Sequence, residues 1–131
     1  MKQNLKKFVT KTSMKLKLEE IINASPALQT LSNTKLPVLV SFKLSMLLKE
    51  LNPVYQSYNE SRTKLLEKYG KLNKEKTNYD FDGNKREEYA EKHKELLQAD
   101  IKLDIPDIKI SELDDIKIEP IFLEQLNWLL K

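Results

Sequence analysis

Leu44, Leu47, Leu48, Leu51, Tyr55, Tyr58, Leu65, Tyr69 and Leu72 recur at spacings of three, four and seven, which draws one apolar stripe along an α-helix. Extended from Val38 to about Gly70, that helix measures about 50 Å at about 1.5 Å per residue, longer than a small globule is wide. Pro37 suits its first turn, where a missing N–H costs nothing. Pro53 deletes one internal hydrogen bond and predicts a kink or a break near Asn52, and Gly70 stands where a C-terminal cap is expected. Upstream, Leu18, Ile21, Ile22, Leu28 and Leu31 predict a helix beginning near Leu16 and interrupted at Ser25-Pro26. A short strand over Lys15 to Leu18 is the alternative. Downstream, a polar stretch ends in the Asp82-Gly83 turn signal. A second helix over Lys85 to Gln98 then carries Tyr89, His93, Leu96 and Leu97 on one side. Two helices joined in this way predict an antiparallel hairpin in which each covers the other's stripe.

Near Asp100 the period drops from about 3.6 to 2. Ile101, Leu103 and Ile105 alternate with Lys102 and Asp104, the pattern of a strand with one face on a core. Pro106 separates this run from Ile108 and Ile110, which predicts one edge strand with a bulge or two short strands. Ser111 to Asp115 turns the chain, Ile116 to Ile118 reads as a further short strand, and Pro120 opens a last helix with Ile121, Leu123, Leu126, Trp128 and Leu129. The predicted class is α+β, mainly α: a long antiparallel helical hairpin, a small C-terminal β-element and a short terminal helix. Residues 1 to 13 read as a flexible basic extension, and 14 to 131 as a single domain divided into a helical part (14 to 99) and a β-element with the last helix (100 to 131).

Charge strengthens that division. Nineteen basic and twelve acidic side chains give +7 over residues 1 to 99, whereas four lysines against eight acids give −4 from Asp100 onward. Lys2, Lys6, Lys7 and Lys11 make the first 13 residues +4 with no acid. The chain has no cysteine, which excludes disulfides, thiolate nucleophiles and Cys-ligated metal. Its longest apolar-rich stretch, Leu36 to Phe42, falls far short of the ~20 residues that span a bilayer, so no membrane association is expected. No secretory h-region precedes Met14, and the expected location is the cytoplasm.

Candidate chemistry is sparse. Aligning Gly83 with the glycine of a calcium loop places Asn78, Asp80 and Asp82 at ligand positions, but Tyr89 falls where a bidentate glutamate is required. His93, the single histidine, has no nucleophile or second metal ligand at a recognisable spacing. Strand alternation turns Asp104 to solvent, so the acids after Asp100 read as a solvated face. No enzymatic activity, cofactor or metal is expected. Arg62, Lys64, Lys68 and Lys71, continued by Lys74 and Lys76, form a basic run with Tyr69 and Tyr79. Glu60, Glu67 and Glu75 dilute it as a phosphate-binding patch.

The segments KLPV (Lys35 to Val38), EKYG (Glu67 to Gly70) and ISELDDIKIEP (Ile110 to Pro120), in this order after MKLKLEEIINA, resemble a family of small proteins carried by phages and prophages of Gram-positive bacteria and classed as a domain of unknown function. The resemblance covers Met14 to Lys131. It implies a phage gene product, in the bacterial cytoplasm or the virion, and no functional residues. The leading expectation is a protein that acts by self-association or by binding a virion component or host target, with Leu44, Leu47, Leu48, Leu51, Ile121, Leu126, Trp128 and Leu129 against the partner. The alternatives are a nucleic-acid-associated regulator using Arg62, Lys64, Lys68 and Lys71, and an inhibitor of a host defence enzyme. The same apolar residues serve equally as the core of a monomer.

Overall fold

The structure, a computed structural model, describes residues 9–130. It is an α+β fold dominated by one long helix. The chain runs β1 (Lys11–Lys17), α1 (Leu18–Asn23), α2 (Ser25–Ser32), α3 (Val38–Tyr69), β2 (Lys71–Leu72), β3 (Tyr79–Asp80), α4 (Lys85–Leu97), β4 (Asp100–Pro106), a 3₁₀ turn (Ile110–Leu113) and α5 (Pro120–Gln125). No helix among the described residues is long and apolar enough to cross a membrane.

The strand predicted at Asp100 is present, and its partner lies at the other end of the chain. β4 pairs antiparallel with β1 over seven residues, from Lys11 opposite Pro106 to Lys17 opposite Asp100. This corrects two expectations. Lys11, Thr12 and Ser13 belong to the sheet and not to an extension, and the helix expected from Leu16 begins at Leu18, Lys15 to Lys17 being strand as the alternative had it; residues 1 to 8 lie outside the described residues. Alternation explains the pairing, because Met14 and Leu16 on β1 share the buried face with Ile101, Leu103 and Ile105 on β4. Lys15, Lys17, Lys102 and Asp104 take the other face and are exposed.

Two further strands expected near the C-terminus are absent. Ile108 makes only an isolated parallel bridge to Leu130, while Ile110 opens the 3₁₀ turn and is 56% exposed. Ile116 to Ile118 is irregular, and both isoleucines pack against the core from outside. With Pro106 ending β4 and β1 already on its other side, these short runs have no ladder to join.

The core collects Leu16, Ile21, Leu28 and Leu31 from the N-terminal third, Val40, Leu44, Leu47 and Leu51 from α3, and Leu103, Ile105, Ile108, Leu113, Leu126 and Leu129 from the last third. Pro26 sits in the first turn of α2, as the Ser25-Pro26 break predicts. α3 passes through Pro53 without ending. Its terminal residue Tyr69 is followed by Gly70, which is extended (φ −116°, ψ 172°) and not left-handed. Glycine is needed there for space: a Cβ would lie 3.0 Å from the Leu66 carbonyl oxygen and 3.2 Å from both Tyr79 Cβ and Phe81 Cε1. The turn at Gly83 does use positive φ (57°).

One buried charge ties the C-terminal third to α3. Lys43 lies on the same face as Val40 and Leu47 and is 6% exposed; its Nζ donates to Glu112 Oε1 at 2.8 Å and Oε2 at 3.1 Å. The Lys109 backbone N–H donates to Glu112 Oε1 at 3.0 Å. Burial by itself would raise the Glu112 carboxyl, but the hydrogen bonds from Lys43 and Lys109 hold it below the ordinary range. Replacing Glu112 by Gln leaves a buried ammonium without its counter-ion and is expected to cost about 2 kcal/mol in urea denaturation, below the roughly 3–5 kcal/mol of a fully buried pair because Glu112 keeps some solvent. The double replacement Lys43→Met with Glu112→Leu is expected to return to within about 1 kcal/mol of the parent.

Candidate functional site

Beyond Leu51 α3 buries no residue, and α4 buries none along its whole length. The outer half of α3, the two-residue ribbon β2–β3 and α4 therefore form an arm joined to the core at its base, where Val54 and Tyr55 pack against it and the Tyr55 hydroxyl donates to the Ile21 carbonyl at 3.0 Å. α4 has 13 residues against the 32 of α3, so it accompanies only part of the long helix. A line of rings holds the arm together. The Tyr58 hydroxyl lies 2.9 Å from His93 Nε2; the His93 and Tyr89 rings stack with centroids 5.7 Å apart and planes 6° from parallel; and Tyr89 meets Phe81 at 5.3 Å. Arg86 lies over the outer face of Phe81 at 5.8 Å. Offset aromatic pairs of this kind are each worth about 0.5–1.5 kcal/mol beyond the area they cover. Gly70 lets the ribbon close on the helix end, as its crowding shows.

At the base of the arm, α3, α4 and the start of β4 enclose an apolar groove of about 310 Å³, lined among others by Pro53, Val54, Ser57, Tyr58, Leu96 and Ile101. Pro53 and the short side chains of Ser57 and Ser61 line its α3 wall. The larger depression of about 550 Å³ follows the ribbon β1–β4 and is lined by Lys15, Lys102, Glu50, Asp104 and Ser13, whose hydroxyl donates to the Asp104 carboxylate. Among the described residues, no three His, Asp or Glu side chains converge on a cation position. The calcium-loop alignment fails on geometry as well as sequence: Asp80 is in β3, paired with Lys71, and Tyr89 is occupied with His93 and Phe81.

The structure redistributes the residues expected to bind a partner. Leu44, Leu47, Leu51, Leu126 and Leu129 are buried in the core of this one chain and offer no surface. Leu48 and Trp128 are half-buried against that core. Only Ile121 is exposed, at 50%, together with Leu123 on the same helix. The apolar tail therefore docks internally. Among the described residues, Trp128 Nε1 and Gln125 Oε1 are buried without a hydrogen-bond partner.

Of the basic run, Arg62, Lys64, Lys68 and Lys71 are all exposed, and none makes an ion pair among the described residues. Lys64 and Lys68 share a helix face, whereas Arg62 faces the ring line. Lys68 lies over the Tyr69 ring at 5.2 Å. The sequence reading missed the Tyr58–His93 bond, although the spacing of each residue along its own stripe was the available signal. It also missed Lys43, whose position three residues after Val40 and four before Leu47 places it on the buried face. Comparison with family models, with curated proteins and with solved structures finds no match to this chain.

Burial lowers the pKa of His93, and the nearby Arg62 charge lowers it further; burial raises that of Tyr58. The folded arm thus resists a proton that the unfolded chain accepts. Its stability is complete above the ordinary histidine value of 6.5 and declines as pH falls from there through the lower folded value. An NMR titration is expected to give a His93 midpoint below 6.5, moving upward in Arg62→Gln, with smaller amide protection factors in α4 at acid pH than at neutral pH. A midpoint at or above 6.5 would contradict the assignment.

Proposed function

We propose that this chain is a non-enzymatic interaction protein whose outer α3 and α4 work as a helical hairpin arm that docks on another protein. The observation that carries this reading is the arm itself: forty-six residues, from Asn52 to Leu97, tied to the core at their base by Val54 and Tyr55 and held beyond it by their own ring contacts, with no residue of either helix in the segment fully buried. Ordering a segment costs conformational entropy that core burial ordinarily offsets, and a partner surface is the natural source of the missing burial. The apolar groove beside Val54 and Tyr58 is the anchor point in this proposal, replacing the core leucines as the partner-binding surface. The resemblance from Met14 to Lys131 supports a phage or prophage origin, with action in the bacterial cytoplasm or within a virion on an assembly component or host target.

A second reading is favoured by one observation, the exposed lysines Lys64, Lys68 and Lys71 toward the arm's end, which make no ion pair among the described residues. In that reading the arm lies along nucleic acid, and binding falls steeply with salt. Neither reading calls for a cofactor.

A photo-crosslinking residue at Ser57, introduced into the full chain and expressed in infected host cells, tests the proposal. A single protein species is expected, lost when Val54→Glu is added while circular dichroism shows that variant still folded. Crosslinks to nucleic acid, abolished by Lys64→Glu with Lys68→Glu, would transfer the assignment to the second reading. Diffuse crosslinking unaffected by Val54→Glu, with a monomer in solution, would refute it.

A further inference from the structure

The two edges of the β1–β4 ribbon are unlike. Leu18 N–H donates to the Ala99 carbonyl at 2.9 Å and Asp107 N–H to the Thr10 carbonyl at 2.7 Å, which fixes the phase of the ladder. Thr12, Met14 and Leu16 exchange backbone bonds with Ile105, Leu103 and Ile101, and the intervening residues direct their backbone groups outward. On β1 those residues are Lys11, Ser13, Lys15 and Lys17; on β4 they are Asp100, Lys102, Asp104 and Pro106. The β4 edge is closed to pairing at Pro106, which has no N–H, and α3 packs against this strand. Among the described residues β1 has no strand on its other side, and no backbone bond is made to the outward groups of Lys11, Ser13 or Lys15. Among the described residues β1 thus has one open edge from Lys11 to Lys15.

The side chains specify what fits there. Lys11, Lys15 and Lys17 are exposed along that edge with only Ser13 between them. Lys17 Nζ reaches Asp100 at 2.9 Å and Lys15 at 3.9 Å, both exposed pairs of little individual strength; Lys11 makes no ion pair among the described residues. Three lysines on one edge repel a second copy of β1, because two such strands set antiparallel about Met14 bring Lys11 opposite Lys17. The β4 edge of a second copy is interrupted by Pro106. We propose that β1 is a docking edge for an extended acidic segment of a partner protein, added as a third strand. Its acids would lie opposite Lys11, Lys15 and Lys17, and its alternate apolar residues beside Met14 and Leu16. The lysines act as a filter, since charges of this kind also deter indiscriminate edge pairing, and strand addition draws affinity from main-chain bonds while alternate side chains set specificity. This surface is separate from the arm and does not rely on it.

The test uses the full chain and a short acetylated peptide alternating glutamate with valine, followed by NMR. Saturable shifts confined to β1, with slowed exchange of the Lys11, Ser13 and Lys15 amides, are expected. The variant Lys15→Pro removes one outward N–H and leaves the internal ladder intact, as Pro106 does on β4; it is expected to weaken binding about tenfold with an unchanged unfolding midpoint. Should that variant unfold, the same peptide N-methylated on alternate residues is expected to lose binding in one of its two phases and not in the other. Equal binding of a lysine–valine peptide, wild-type binding by folded Lys15→Pro, insensitivity to methylation phase, or dimerisation of the chain alone through β1 would each overturn the proposal.

Discussion

The antiparallel pairing of Lys11–Lys17 with Asp100–Pro106 joins parts of the chain about ninety residues apart, and the remaining architecture is arranged around that closure. It supplies the flat apolar face, Met14, Leu16, Ile101, Leu103 and Ile105, on which the inner half of α3 packs. It also brings the C-terminal third close enough for Leu113, Leu126 and Leu129 to complete the core and for Glu112 to meet Lys43. A two-stranded ribbon is marginal alone in water. Here its inner face is covered by helix, and that coverage, more than the ladder bonds, holds it.

Closure of the ends leaves the middle of the chain free. Val38 to Leu51 faces the core on one side; past Pro53 the same helix keeps Val54 and Tyr55 on the core's edge and then continues with no fully buried residue. The arm replaces burial with directed contacts: a tyrosine bonded to a histidine, two stacked rings, and a glycine that admits a tight ribbon. Such contacts are worth less than a core leucine, which contributes about 1.5–3 kcal/mol when fully buried. The arm is accordingly the less stable part, and the one whose electrostatics respond to pH within the range where histidine titrates.

Local pattern made the helices legible: the stripe from Leu44 to Tyr69, the Ser25-Pro26 interruption, Gly70 and the Asp82-Gly83 turn all have counterparts in the structure. The strand at Ile101 was equally plain from alternation. What the sequence did not disclose was its partner. Lys11 to Lys17 also alternates, but four lysines within the first 13 residues resemble a solvated tail, and pairing across the whole chain leaves no local mark. The same limitation affected the leucines assigned to a partner, since a stripe fixes which face is apolar and not what covers it. Lys43 was masked by its charge, for a lone lysine within an apolar run reads as a terminator until its counter-ion is known.

Native-state hydrogen exchange of the full chain tests the central claim, that end-to-end ribbon closure and the core form one cooperative unit from which the arm is separate. The account predicts that the amides of Thr12, Met14 and Leu103 exchange with the same opening free energy as those of Leu47 and Leu51, while α4 amides open at a distinctly lower one. Exchange of the Thr12 and Met14 amides as fast as α4, with Leu47 and Leu51 still protected, would contradict it.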